Sequence, residues 1–434
     1  MRHIPFVLAF PLLAIAGPNR IGQEVTFYKD VLPVLQKNCQ GCHRPGEATP
    51  MTFLSYKEAR PWAKAIKDAT VSRRMPPWFA DPHVGKFSND RSMSKAEIDT
   101  LAAWADNGAK EGDAKDAPPA LQFIQGWQIG KPDVTFDLPE DYQVVPSGTI
   151  DYTYAIVPTN FTEDRWVTMA EARPGNRAVV HHIIAFVREP GSKWLQSYPK
   201  NKMFIPEKRK GEGGENGLFI TGFAPGAPPE ALRPGQGKLV KAGSDVVFQM
   251  HYTANGKPAT DRSSVGFIFA KEPPTHRVIT LAAANSKFVI PPGASDYTTE
   301  GEMTLHADTE ILGLLPHMHL RGKSMEFRAI YPNGEVEKLL WVPRYDFNWQ
   351  LWYQVPLGKK LPKGTRIRAT GAFDNSPNNR ANPDPTATVK YGDQSWEEMM
   401  IGFFNVSVPV EVNPRDIVQP AKKPAPAAQS GGLD

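Results

Sequence analysis

At 434 residues the chain has room for about three domains of ordinary size. Its charged (22%) and hydrophobic (41%) fractions are those of a globular protein, and a net charge of +4 over such a length excludes the strong basic excess of a nucleic-acid-binding chain. The 42 prolines and 35 glycines exclude a fold of long helices and favour short strands and turns, as in sandwiches or barrels.

The N-terminus has a basic start, Met1-Arg2-His3, then an apolar run from Ile4 to Ala16 closed by Ala14-Ile15-Ala16. This pattern predicts a secretory signal peptide over residues 1–16, cleaved after Ala16, and a periplasmic or secreted protein. The run is short for a membrane span and is interrupted by Pro5 and Pro11, and no later segment offers a span, so no stable membrane span is expected. An uncleaved anchor is the alternative. The only cysteines are Cys39 and Cys42, so an exported chain is held together here without a disulfide framework.

Residues 24–113 read as helical. Phe27, Val31, Val34 and Leu35 fall on one helix face before Cys39-Gln40-Gly41-Cys42-His43. Ser55-x-x-Glu58 and Ser94-x-x-Glu97 are capping-box signals, and the stripe Ile98, Leu101, Ala102, Ala105 stops at Gly108. Cys-x-x-Cys-His is the signal for a covalently attached haem c: Cys39 and Cys42 form the thioethers and His43 is an axial ligand. A redox dithiol would sit in a βαβ pattern, and a zinc site would need further ligands nearby; neither is evident. The stretch resembles a class I cytochrome c domain. By that resemblance the second axial ligand is Met75, on the proline-stiffened loop Met75-Pro76-Pro77, with Met51, Met93 and His83 as competitors.

Residues 114–131 are an alanine- and proline-bearing linker, and from Pro132 the pattern changes to strands. Val134 to Leu138, Asp151 to Val157, Ala178 to Arg188 and Ser244 to Thr253 read as β, with turns at Asn255-Gly256 and Pro332-Asn333-Gly334. Val144-Val145-Pro146-Ser147-Gly148 through Asp151-Tyr152-Thr153 recurs as Val289-Ile290-Pro291-Pro292-Gly293 through Asp296-Tyr297-Thr298. A fainter echo relates the segment leading to His251-Tyr252 with the one leading to Ala372-Phe373. Two repeats in the same order predict two similar β domains in tandem, 132–275 and 276–415, followed by a disordered tail over 416–434.

Beyond the haem segment the histidines are His181, His182, His251, His276, His306, His317 and His319. His317-Met318-His319 follows a strand-like run, and residues two apart on a strand share a face, so both imidazoles can reach one ion. His181 and His182 are adjacent and would face opposite ways on a regular strand; joining His251 on one ion requires a bulge or the use of different ring nitrogens. Three imidazoles suit copper or zinc, and the thioethers of Glu398-Met399-Met400 suit Cu(I). Buried, hydrogen-bonded histidines and core methionines are the bland alternatives for each.

Together these motifs resemble the copper type II, ascorbate-dependent monooxygenases, the family of peptidylglycine α-hydroxylating monooxygenase and dopamine β-monooxygenase. The resemblance implies two tandem antiparallel, jelly-roll-like β-sandwiches behind a small all-α cytochrome c domain, with two copper ions and one haem c. It implies an electron-transfer copper on His181, His182 and His251 and an oxygen-binding copper on His317, His319 and Met399. Dioxygen, an organic substrate and an external electron donor, an ascorbate-like reductant or a redox protein, would be the partners. The chain departs from the family in having no cysteines for disulfides in its β region. Leu315, Ile401 and Phe403 stand where the peptide-hydroxylating member places the arginine, asparagine and tyrosine that hold its substrate's carboxylate, so the substrate expected here is small or apolar. Two other classes use the same ligands: a periplasmic electron-transfer or copper-binding protein, and a haem-copper reductase of a small oxidant.

Overall fold

The computed structural model describes residues 24–47, 49–207, 217–226 and 228–419. The expected signal peptide and most of the expected tail lie outside them. The chain is mostly β, arranged in several sheets, with its helices concentrated between Phe27 and Asp106. No helix among the described residues is long and apolar enough to cross a membrane.

In the N-terminal part, a π turn at Phe27–Val31 runs into the helix Leu32–Asn38, which ends at Cys39. Ser55 caps the short helix Tyr56–Ala59, and a complete capping box between Ser94 and Glu97 starts Lys95–Asp106, as the sequence predicts. Phe27, Leu35, Leu101 and Trp104 bury fully in one cluster, joined by Met93. From the helix Ala63–Val71 the chain continues as a non-helical arm that packs on a later part of the molecule. Trp78 and Phe87 meet the Tyr353 ring at 4.8 and 5.4 Å, and the backbone of Ser88 donates to Gln354.

The predicted strands appear as Val134–Asp137, Thr153–Pro158, Val180–Arg188 and Asp245–Tyr252. The sequence repeat has a structural counterpart. Thr153–Pro158 pairs with Asp245–Tyr252, which pairs with Val180–Arg188; Tyr297–Thr304 pairs with Arg366–Phe373, which pairs with Gly322–Ile330. Each trio is antiparallel and buries a hydrophobic cluster against a larger sheet. That larger sheet has nine strands and is continuous across the 275/276 boundary, because Gln236–Val240 pairs in parallel with His276–Asn285. Residues 416–418 of the expected disordered tail are helical instead. Pro414–Val418 is helical, started by Pro414 and capped by Asn413, and Ile417 is fully buried in the core. The apolar Ile417 outweighs the tail's disorder-prone composition as far as the residues are described.

Candidate metal centres

His182 lies opposite His251, but the next pair is Val180 with Tyr252, so the register slips by one residue at this point. His181 is the extra residue of that bulge, which frees its side chain from strict alternation and brings it to the side of its neighbour. The Nδ1 atoms of His181 and His182 are 3.2 Å apart, those of His251 and His182 3.4 Å, and the ligand atoms of all three lie within 4.8 Å of one another. Three nitrogens facing one another suit a shared ion better than they suit each other, since a neutral imidazole offers one donor and one acceptor. Burial, then the neighbouring imidazoles, holds His182 well below the usual histidine pKa. The same two causes bring His251 down to about 3, and burial lowers His181. All three are therefore neutral, the form that ligates metal. The Tyr152 ring packs edge-on at 4.7 Å from His251, and its buried hydroxyl has no hydrogen-bond partner among the described residues.

The second set stands at the end of the strand Thr309–His317. Met318 turns into the core, while the rings of His317 and His319 come within 5.3 Å of each other, so alternation persists one step past the strand. His319 Nδ1 faces the Glu397 carbonyl at 3.2 Å, and its Nε2 is buried without a partner among the described residues. His317 Nδ1 faces Gln350 Oε1 at 3.0 Å. In both rings Nδ1 is oriented by a protein acceptor, which turns Nε2 to the opposite side, the usual arrangement of a metal-ligating histidine. Burial lowers both, His319 to about 3 with the His317 ring assisting.

Met399 is half-buried and two residues from Ile401, which pairs with His317. Met400 is fully buried in the core, whereas its neighbour Met399 is only half-buried, as alternation along a strand requires. Glu398 accepts from the backbone N–H of His319 at 2.8 Å and from that of Arg321 at 2.6 Å, tying the Met399 segment to the His-Met-His turn. Burial pushes its carboxyl up to about 8, against the pull of those two donors.

His182 and His317 both line a single cavity of about 310 Å³. Leu315 and Phe403, paired across the sheet, form part of its wall, and the arm after the helical part contributes Trp78 and Arg91. Phe347 stands among the histidines, its ring 5.6 Å from His181, 6.0 Å from His251 and 5.9 Å from His319. The loop holding Phe347 went unread in the sequence; its dense run of aromatic and amide residues, Tyr345 to Gln350, was the available signal.

Cys39 and Cys42 lie in the turn that follows Leu32–Asn38, where the His43 N–H donates to the Cys39 carbonyl at 2.9 Å. The His43 ring stacks on Phe53 at 4.3 Å, and its Nδ1 faces the Met51 carbonyl at 3.3 Å, leaving Nε2. Burial pushes the Cys39 thiol up to about 12 and raises that of Cys42, opposite to what a reactive dithiol needs. Of the methionines competing for an axial role, Met93 is buried in the helical core and Met51 packs against it, while Met75 is half-buried on the loop past Val71. His83 is exposed. A Cβ on Gly226 would lie 3.7 Å from Cys42 Sγ, 3.1 Å from the Arg91 guanidinium and 3.9 Å from the Trp349 ring, so the β region abuts the Cys-x-x-Cys-His turn.

No family model matches the chain, and no curated protein does. Among solved structures, an infectious bursal virus T=1 particle aligns over 64% of this chain and 70% of its own, at 10% identity and a TM-score of 0.18. A mutant VP2 protein of infectious bursal disease virus aligns over 66% and 72%, at 9% identity and a TM-score of 0.19. Likeness at that level carries no argument about this protein.

Proposed function

We propose that the chain is an exported copper-dependent monooxygenase similar to the copper type II, ascorbate-dependent family, with a fused cytochrome c-like haem segment over 24–113. Two sandwich-like halves, 132–275 and 276–415, would hold one copper on His181, His182 and His251 and the other on His317, His319 and Met399. When bound, the coppers would supply dioxygen chemistry and the haem on Cys39 and Cys42, with His43 and Met75 as axial ligands, a store for electrons from an external donor. The overall reaction inserts one oxygen atom into a C–H bond and reduces the other to water, consuming two electrons and two protons.

The observation that carries this reading is that a histidine of each set lines one apolar-walled cavity, with three ring nitrogens of the first set clustered within 4.8 Å and His319 Nε2 of the second buried without a partner among the described residues. The protein's own contribution is placement. Burial keeps the imidazoles neutral and ready to ligate. Glu398 and the Glu397 carbonyl hold His319 in one orientation. Leu315 and Phe403 present apolar surface beside His317, which suits a substrate without a charged anchor. The test is metal and haem analysis of protein matured in the periplasm, then product mass spectrometry under oxygen-18. Two coppers, one haem and a labelled hydroxyl product are expected. Copper binding without turnover would make it an electron-transfer or copper-binding protein, and oxidant consumption without organic product a reductase.

A further inference from the structure

One loop touches both histidine sets. Tyr345 Oη donates to the Met318 carbonyl at 2.6 Å and accepts from the Met318 N–H at 3.1 Å, stapling the loop to the middle of His-Met-His. Gln350 Nε2 is used twice within the loop, donating to Tyr345 Oη and to the Phe347 carbonyl, each at 3.0 Å. With the amide nitrogen committed, its oxygen is the end presented to His317 Nδ1. That makes Nδ1 the protonated nitrogen and Nε2 the free one. Asn348 repeats the device on the other set. Its Nδ2 donates to Asp346 Oδ1 at 2.8 Å, which leaves the amide oxygen free to face His181 beside it.

Between these two carboxamides lies Phe347. Its ring stacks on His181 with an interplanar angle of 18° and meets His319 nearly edge-on at 79°. A phenyl ring cannot ligate, and at 8% exposure it fills space that water would otherwise occupy. It separates two sites that would each hold a cation, in surroundings where repulsion between like charges is weakly screened.

We propose that Tyr345–Gln350 is a positioning loop common to both metal sites. In it Asn348 orients His181, Gln350 orients His317, and Phe347 is the spacer that sets the separation between the two ions. This rests on the copper reading above and assigns residues that reading does not use.

The test uses the full, haem-loaded protein titrated with Cu(II) and followed by electron paramagnetic resonance, with copper per chain measured in parallel. In Phe347→Ala both ions are expected to bind, with stronger spin-spin coupling: a broadened spectrum and a larger half-field signal. Phe347→Leu, which keeps an apolar filler, guards against loss of the fold and is expected to fall between Ala and wild type. Gln350→Leu is expected to weaken copper at the His317 set by about 10–100-fold while the His181 set keeps its spectrum. Gln350→Glu, which restores an acceptor oxygen, should recover the affinity, and Asn348→Leu should give the mirror pattern. A wild-type spectrum from doubly loaded Phe347→Ala and Phe347→Leu overturns the spacer role. Loss of both sites together, or of neither, in Gln350→Leu overturns the orienting role. If wild-type protein binds two coppers and these variants behave so, the copper reading survives and the loop assignment falls. If wild-type protein binds none at the histidines, both fall.

Discussion

Removing the carboxylate of Glu398 should cripple one metal site and leave the other intact. Its side chain is fully buried, and its two oxygens accept from the backbone N–H groups of His319 and Arg321 at 2.8 and 2.6 Å. Glu398→Ala leaves two buried donors without an acceptor, at about 1–3 kcal/mol each, so the loss of stability should be about 2–6 kcal/mol. Glu398→Gln keeps one acceptor oxygen and turns an NH2 toward the other donor, for roughly half that cost. Both changes free the turn that aims His319, and loss of such outer support commonly weakens metal binding about 10–100-fold. Urea unfolding of the metal-free protein would report the stability, and copper titration against a competing chelator the two affinities. In Glu398→Gln, copper should weaken at His317, His319 and Met399 only. If that variant unfolds within about 0.5 kcal/mol of wild type and binds both coppers normally, the carboxylate does not hold the turn as described.

Met399→Ile should remove one copper per chain and abolish oxygen-dependent product, whereas Met400→Ala should keep both coppers and lose about 2–5 kcal/mol, the cost of a cavity in the core beside Gly371 and Met318; copper analysis beside denaturant unfolding separates the two. The metal-free protein should lose stability as pH falls from about 6.5 toward 3. His251 and His319 titrate near 3 when folded but near 6.5 when unfolded, so below 6.5 the unfolded chain takes up protons that the folded one refuses. In His251→Ala the slope of unfolding free energy against pH in that window should flatten by up to about 1.4 kcal/mol per pH unit; an unchanged slope would refute the buried neutral state. Asp245 begins the strand that carries His251 and is buried between Arg188 at 2.7 Å and Lys200 at 2.8 Å. Asp245→Asn should cost about 3–5 kcal/mol, because it strands a buried guanidinium. A change under about 1 kcal/mol in the unfolding free energy would show the pair to be solvated.

The sequence alone determined the elements whose signals are local. Capping boxes at Ser55 and Ser94, strand patterns around His181 and His251, and the repeat preceding Thr153 and Thr298 all rest on side chains a few residues apart, and each has its counterpart in the structure. Seven of the ten candidate ligands stood out for the same reason, since Cys-x-x-Cys-His, His-His and His-x-His are short spacings with a mechanical meaning, whereas Met75, His251 and Met399 lie outside those motifs. Whether His181 and His182 could face one point was not decided locally, since it needed a bulge created by the register against His251. Nor could a strand pattern show that the sheet would run on through Gln236 and His276, because that pairing joins residues forty positions apart through backbone groups that carry no sequence signature. The tertiary structure alone placed both histidine sets on one cavity and set Phe347, Asn348 and Gln350 against them. Those contacts span 28 to 166 positions of chain between Phe347 and the histidines it meets, and only the packing of the two halves brings them together.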